Sequence, residues 1–285
     1  MGSGIAPVAA QAGYPVTVRE VSSQRVEKGL QSIEKDPLRL MEKRTIRAAD
    51  RDQARGRLHG TTNLEDVKNC DIVIEAIMEQ LPAKKELLGT LDTLCSRNTI
   101  LAGNPSSISI TEMAVAAERP GRFLGLHFLN PVPVMKLVEV VRTIATATDV
   151  FEEVVAFAGK LGKTAVRTLD RTGFVANRLL VPYLVDAIRA LEEGVGTIED
   201  IDNSMKLGWG HPMGPLTLLD FIGLDTTCHI ANIMFDGFKE KRFTPPLLKR
   251  MVIAGWNGRR AGRGFYDYTD PTRPKPVQLS GGARL

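Results

Sequence analysis

Cysteine is scarce: Cys70, Cys95 and Cys228 are odd in number and share no metal-ligand spacing, which excludes a disulfide framework and a thiolate metal centre. They read as reduced, mostly buried thiols. No run approaches roughly 18 uncharged apolar residues, the length a membrane helix needs. The N-terminus also lacks the basic region and apolar run of a signal peptide. The expectation is a cytoplasmic protein without a membrane partner. Neither sign of charge dominates, since 37 Lys and Arg face 33 Asp and Glu for a net +4, and the two signs are interspersed, so nucleic acid is not an expected partner. The densest basic stretch, around Arg259, Arg260 and Arg263, reads as a solvated turn, with phosphate binding as its alternative. No internal repeat is visible.

What is present is an ordinary globular composition, 43% apolar and 25% charged over 285 residues, long enough for two domains. Through the first 170 residues short apolar runs alternate with longer amphipathic stretches, the α/β pattern of strands joined by crossover helices. Strands are expected at 16–20, 71–77, 99–104, 123–128, 137–141 and 165–169, with helices starting near Met1, Ser22, Ala83, Ile110 and Asp149. From about Gly173 onward the apolar spacing is helical, over 174–193, 198–207, 214–234 and 246–254. Gly194 and Gly196, then Gly208 and Gly210, act as stops. The division expected is 1–170, Rossmann-like and α/β, and 171–285, all-helical with an irregular proline-containing tail.

In such sheets ligands sit beyond the carboxyl ends of the strands, and there the sequence places Glu20, Glu79, Asn104, Ser106 and His127. An acid closing a strand of a dinucleotide-binding unit would hydrogen-bond the ribose hydroxyls and repel a 2′-phosphate, so Glu20 favours NAD over NADP. Met1-Gly2-Ser3-Gly4-Ile5-Ala6 resembles the end of a glycine-rich phosphate loop running into its helix, with Gly2 as the third glycine of the fingerprint. The strand and the two glycines that would precede it are not in the sequence. Downstream, His127 and Glu139 lie on two strand-like runs joined through Pro131 and Pro133, a connection able to bring a base and a carboxylate together. On residue chemistry alone, His127 is as readily a structural histidine as a catalytic one.

The combination of segments is more specific than any one of them. Asp71-Ile72-Val73-Ile74-Glu75-Ala76, Asn104-Pro105-Ser106-Ser107, the run from His127 to Glu139, Gly173-Phe174-Val175-Ala176-Asn177-Arg178, His211-Pro212-Met213-Gly214-Pro215 and Gly262-Arg263-Gly264-Phe265-Tyr266 occur in that order. From Met1 to Tyr268 the chain resembles the L-3-hydroxyacyl-CoA dehydrogenase family. That resemblance implies a Rossmann-like domain, a helical domain that binds substrate and forms a homodimer, and NAD-linked oxidation of the 3-hydroxyl of an acyl-CoA in fatty-acid β-oxidation. It implies that His127 is the base and Glu139 its carboxylate partner, and that Ser106 and Asn177 contact the substrate. By the same matching Gly2, Glu20, Glu79, Lys84 and Asn104 lie along NAD, and Lys43 near the CoA portion.

Pro105 departs from the family's usual threonine and removes both a hydroxyl and a backbone donor beside Ser106. With a first Rossmann strand lacking, the alternative expected is an inactive homologue serving as a structural or dimerisation module. A related enzyme of free β-hydroxy acids would use a lysine of its second domain instead, which the His127 and Glu139 pair disfavours.

Overall fold

The computed structural model describes residues 1–35, 48–106, 108–239 and 244–279. The chain divides into two compact units, Met1–Phe174 and Val175–Leu285.

In chain order the first unit runs α1 (Gly2–Gln11), β1 (Val16–Arg19), α2 (Ser23–Lys35), α3 (Ala48–Gly56), β2 (Leu58–Thr61), β3 (Ile72–Glu75), α4 (Leu81–Leu94), β4 (Ile100–Gly103), α5 (Ile110–Ala114), β5 (Phe123–Phe128), β6 (Leu137–Arg142), α6 (Thr148–Lys160) and β7 (Thr164–Leu169). A five-stranded sheet has the order β3-β4-β5-β6-β7 and is parallel except between β5 and β6. β1 and β2 form a separate parallel pair. Among the described residues β1 pairs only with β2, and β3 only with β4.

Side chains alternate between the two faces of a strand, and here both faces are covered. Ile72, Ile74, Ile100, Ala102, Leu124, Leu126, Phe128, Val138 and Val140 pack with Ile5, Val8 and Ala9 of α1 and with Val150, Val154 and Ala158 of α6. The opposite face carries Val73, Leu101, Phe123 and Val141, packed with Leu88 and Leu91 of α4 and Ile110 and Met113 of α5. Two glycines permit the second contact. A Cβ on Gly103 would lie 2.8 Å from Met113, and one on Gly125 would lie 2.7 Å from Ile110. Asp170, just past β7, caps α5 by accepting from the Ser109 hydroxyl and from the backbone N–H groups of Ile110 and Thr111.

The second unit comprises α7 (Ala176–Glu192), α8 (Ile198–Asn203) continued by a π-helical turn at Ser204–Gly208, α9 (Pro215–Ile222), α10 (Leu224–Phe238), α11 (Pro246–Ile253), and the short antiparallel strands β8 (Tyr266–Asp267) and β9 (Lys275–Pro276). Its core is built on Leu184, Ile188, Leu216, Leu219, Leu224, Leu248 and Phe265. Two buried carboxylates organise it. Asp202 accepts from the N–H groups of Leu216 and Thr217 at the start of α9 and from the Tyr266 hydroxyl. Asp220 accepts from the N–H groups of Phe265 and Tyr266 at 2.8 Å each.

The boundaries differ from the sequence expectation at identifiable places. The helix expected to begin at residue 174 starts at Ala176, because Gly173 and Phe174 adopt left-handed backbone with φ of 79° and 47°. The helix expected over 214–234 is two, broken at Gly223, whose φ of 107° no helix accommodates. The tail forms β9 where an irregular segment was expected. β2 and α3 were not anticipated at all: both are short, and β2 contains His59 and Gly60 in place of an apolar run.

Candidate active site

The antiparallel register of β5 and β6 sets His127 directly opposite Glu139, so their side chains emerge on the same face. His127 Nδ1 lies 2.7 Å from Glu139 Oε2, with both side chains buried. The carboxylate accepts, so Nδ1–H donates, which in the neutral imidazole leaves the lone pair on Nε2. The Phe174 ring, itself buried, packs against the imidazole at 5.4 Å between centroids. A histidine held on one nitrogen by a carboxylate and on its face by an aromatic ring has one basic nitrogen left to act.

Beside this pair, the ends of β3 and β4 are tied together. Glu75 closes β3 and is buried; its Oε1 accepts from Lys84 Nζ at 2.8 Å and from Ile77 N–H at 2.7 Å. Lys84 is fully buried and also lies 3.4 Å from Glu79 Oε2. Glu79 Oε1 accepts from Ser106 N–H at 2.8 Å. Asn104 N–H donates to the Glu75 carbonyl at 3.0 Å, and Asn104 Oδ1 accepts from Phe128 N–H at 2.8 Å, one residue beyond His127. Asn104 therefore links three strand ends.

At the other candidate cofactor positions, Glu20 follows β1 and its N–H donates to Thr61 O of β2. α1 begins at Gly2 with no side-chain cap and no acidic residue in its first turn, leaving its N-terminal N–H groups and positive dipole end available to an anion. A Cβ on Gly2 would meet nothing within 4 Å, whereas one on Gly4 would sit 3.1 Å from Val132 Cβ, so α1 starts against the loop that follows β5.

Residues 1–171 match the family described as 3-hydroxyacyl-CoA dehydrogenase, NAD binding domain, and residues 173–268 match the C-terminal domain of the same enzymes. The chain belongs to the 3-hydroxyacyl-CoA dehydrogenase family. It is 48% identical over 273 residues to a probable 3-hydroxybutyryl-CoA dehydrogenase of Bacillus subtilis, covering 95% of each chain. It is 42% identical to the human mitochondrial hydroxyacyl-coenzyme A dehydrogenase, covering 94% of this chain and 88% of that one. Among solved structures, FadB2 of M. tuberculosis superposes with a TM-score of 0.91 at 47% identity, over 94% of this chain and 95% of that one. (S)-3-hydroxybutyryl-CoA dehydrogenase PaaH1 from Ralstonia eutropha gives 0.90 at 40%, over 95% and 96%.

The dehydrogenase takes NAD as its cofactor, and its residues fit that group. The uncapped start of α1 suits a pyrophosphate, and the first turn carries no acidic side chain to repel it. Of the residues that the sequence nominates, the structure brings His127 to Glu139, and both Ser106 and Lys84 to Glu79, while Asn104 sits at the junction of β3, β4 and β5. Asn177 lies in the first turn of α7, in the second unit, half-buried. Lys43 lies outside the described residues.

Two contributors escaped sequence reasoning. Glu75 stood in a recognised segment without a role, although an acid at the end of an apolar run is itself a signal. Phe174 likewise stood in a recognised segment without a role, since its contact with His127 depends on tertiary packing. The three thiols are unpaired by disulfides, Cys95 buried and the others half-buried, and burial pushes all of them up from the ordinary thiol range. They are poor nucleophiles at neutral pH. Among the described residues no helix is long and apolar enough to cross a membrane.

Proposed function

We propose that the dehydrogenase acts on short-chain substrates, 3-hydroxybutyryl-CoA foremost, and that His127 is its general base. The buried His127 and Glu139 pair, 2.7 Å apart, carries this reading. In the oxidative direction His127 Nε2 takes the proton of the 3-hydroxyl, and Glu139 stabilises the imidazolium that results. When bound, NAD supplies the acceptor for the hydride that leaves C3. Ser106 and Asn177 orient the substrate oxygens, a positioning role whose value lies in near-attack geometry. In the reductive direction the imidazolium returns its proton to the carbonyl oxygen. Glu20 would hold the adenine ribose and Gly2 the pyrophosphate, with Glu79, Lys84 and Asn104 near the nicotinamide half of NAD and Lys43 near the CoA portion.

Chain length is supported by the B. subtilis and R. eutropha relatives, both named for the four-carbon substrate. The second unit carries exposed apolar side chains at Leu179, Leu207, Trp209 and Ile253, which support a homodimer through that unit. We place the enzyme in the cytoplasm and in fatty-acid β-oxidation. Steady-state oxidation of 3-hydroxyacyl-CoA esters of four, eight and twelve carbons with NAD tests the substrate assignment. The highest kcat/KM is expected for four carbons, and a preference for the longer chains refutes it.

A further inference from the structure

The ion pair between Glu75 and Lys84 is buried beyond what stability asks of it. Both side chains are essentially inaccessible, at 1% and 0% exposure. Glu75 Oε2 is a buried oxygen with no hydrogen-bond partner among the described residues. Desolvating two charges costs several kcal/mol per ion even after relaxation, and well-packed apolar residues of similar volume often serve a core as well or better. The pair joins the end of β3 to α4, two elements whose Val73, Leu81, Leu87, Leu88 and Leu91 belong to the apolar cluster on this face of the sheet. A charged pair with one carboxylate oxygen left over is a poor way to fill that space, so its use lies in where it holds other groups.

Among the described residues Lys84 Nζ meets Glu75 Oε1 at 2.8 Å, the Ile77 carbonyl at 3.4 Å and Glu79 Oε2 at 3.4 Å, all within residues 75–79. Glu75 Oε1 simultaneously takes the Ile77 N–H. The turn between β3 and α4 is thus wrapped around one ammonium, and that turn carries Glu79. The other oxygen of Glu79 accepts from Ser106 N–H, and the Glu75 carbonyl accepts from Asn104 N–H. Both ends of the segment 104–106 are therefore fixed from β3: Asn104 directly through backbone, Ser106 through Lys84 and Glu79.

We propose that Glu75 is a positioning residue of this dehydrogenase, anchoring Lys84 so that Glu79 holds the backbone of Ser106 in register with His127. The proposal rests on the assignment of Ser106 to the substrate and adds a residue that touches neither substrate nor cofactor. In Glu75→Gln the acceptor and the volume remain, but Lys84 keeps only Glu79 as a carboxylate partner. The ammonium is drawn toward Glu79, which loosens its hold on Ser106 N–H.

The full chain carrying Glu75→Gln, Glu75→Gln/Lys84→Met, Glu79→Gln or Ser106→Ala is compared with wild type for kcat per NADH-binding site, KM for the acyl-CoA, and melting temperature. Glu75→Gln is expected to lower kcat about tenfold, as a loosened positioning contact does, with a smaller change in KM. The double variant removes the buried unpaired charge and is expected to regain most of the lost melting temperature while kcat stays low. Because it retains no stranded ion, it carries the test if Glu75→Gln alone folds poorly, with NADH affinity read beside kcat: low kcat at unchanged affinity supports the positioning of Ser106, whereas affinity lost in step with kcat assigns the defect to Lys84 at the cofactor and overturns the proposal. Near-normal kcat in the double variant, alongside an impaired Ser106→Ala, would show that Glu75 serves only as a counterion and would overturn the proposal alone. Unimpaired Ser106→Ala would instead overturn the assignment of Ser106 on which it rests.

Discussion

Replacing Glu139 by glutamine isolates the charge at the far end of the His127 hydrogen bond. The residues are 2.7 Å apart and both are buried, so the bond is weakly screened and the variant keeps its volume. A hydrogen bond to a charged group is worth about 1.5–3 kcal/mol and a neutral one about 0.5–1.5 kcal/mol. The imidazolium formed on proton transfer therefore loses about 1–2 kcal/mol of stabilisation, a fall in kcat of roughly 5- to 30-fold. A ceiling follows from Coulomb's law, because unit charges about 4 Å apart at an effective dielectric near 20 attract by about 4 kcal/mol. A loss beyond about a thousandfold, the rate equivalent of that ceiling, would mean that the glutamine amide donates into Nδ1 and forces the proton onto Nε2, where it blocks the base.

His127→Gln removes the base altogether and is expected to cost about 10²–10⁴ in kcat. The double variant His127→Gln/Glu139→Gln should be no slower than His127→Gln, because Glu139 acts through the imidazole. Initial rates of NADH formation at saturating acyl-CoA give kcat, and calorimetric titration with NADH separates binding from chemistry; affinity should be unchanged in all three. Additive losses in the double variant, or a Glu139→Gln enzyme within twofold of wild type, would refute this account of the pair.

Cofactor choice follows Glu20: wild type should prefer NAD, and Glu20→Gln should narrow the preference over NADP in steady-state assays, whereas a wild-type preference for NADP would remove Glu20 from the ribose. Light scattering at micromolar concentration should give twice the chain mass, and a stable monomer would contradict pairing through the second unit. Gly264→Ala should lower stability by about 1–3 kcal/mol or more in urea melts, because its Cβ would fall 2.0 Å from Asp220 Oδ1; an unchanged midpoint would refute that packing. Burial raises the Asp220 carboxyl to about 6 from 3.8, so between those values the folded protein holds a proton that the unfolded chain releases, and stability falls as pH rises through 4 to 6 by up to about 3 kcal/mol. The melting temperature of Asp220→Asn should lack this component of the pH slope, and identical slopes in the two proteins would show that Asp220 is not the titrating group.

Strand positions were legible in the sequence wherever an apolar run was both long and bounded. The segment 123–128 coincides with β5, and the five other expected strands differ by one or two residues at their ends. Glu139 could be paired with His127 because a short turn between two strands leaves few geometries other than antiparallel. What sequence could not supply was the partner of a lone polar group. Glu75 finds Lys84 nine residues away, across a turn and onto a helix, and no periodicity encodes that distance. Phe174 reaches His127 only after Gly173 has bent the chain out of β7. β2 lacked an apolar signature because its middle residues, His59 and Gly60, are exposed.

The parity of the strands explains why the polar groups that were legible fall together. Even-numbered positions of β3 to β6 face α1 and α6 and are apolar, namely Ile72, Ile74, Ile100, Ala102, Leu124, Leu126, Phe128, Val138 and Val140, except for Arg142 at the end of β6, whose guanidinium lies over the Phe151 ring of α6. Odd-numbered positions divide along the strand. Val73, Leu101 and Phe123 at the beginnings of β3, β4 and β5 pack on α4 and α5, while Glu75 and His127 occupy the same face toward the ends. β6 runs the other way, so its order is reversed, with Glu139 opposite His127 and Val141 opposite Gly125. One face supplies burial along its whole length; the other supplies it over one half and yields the carboxyl ends to chemistry. A shift of β6 by one residue would put Glu139 into the apolar α1 and α6 layer at the cost of burying an unpaired carboxylate. The hydrophobic pattern that selects the register therefore also selects the distance between base and carboxylate.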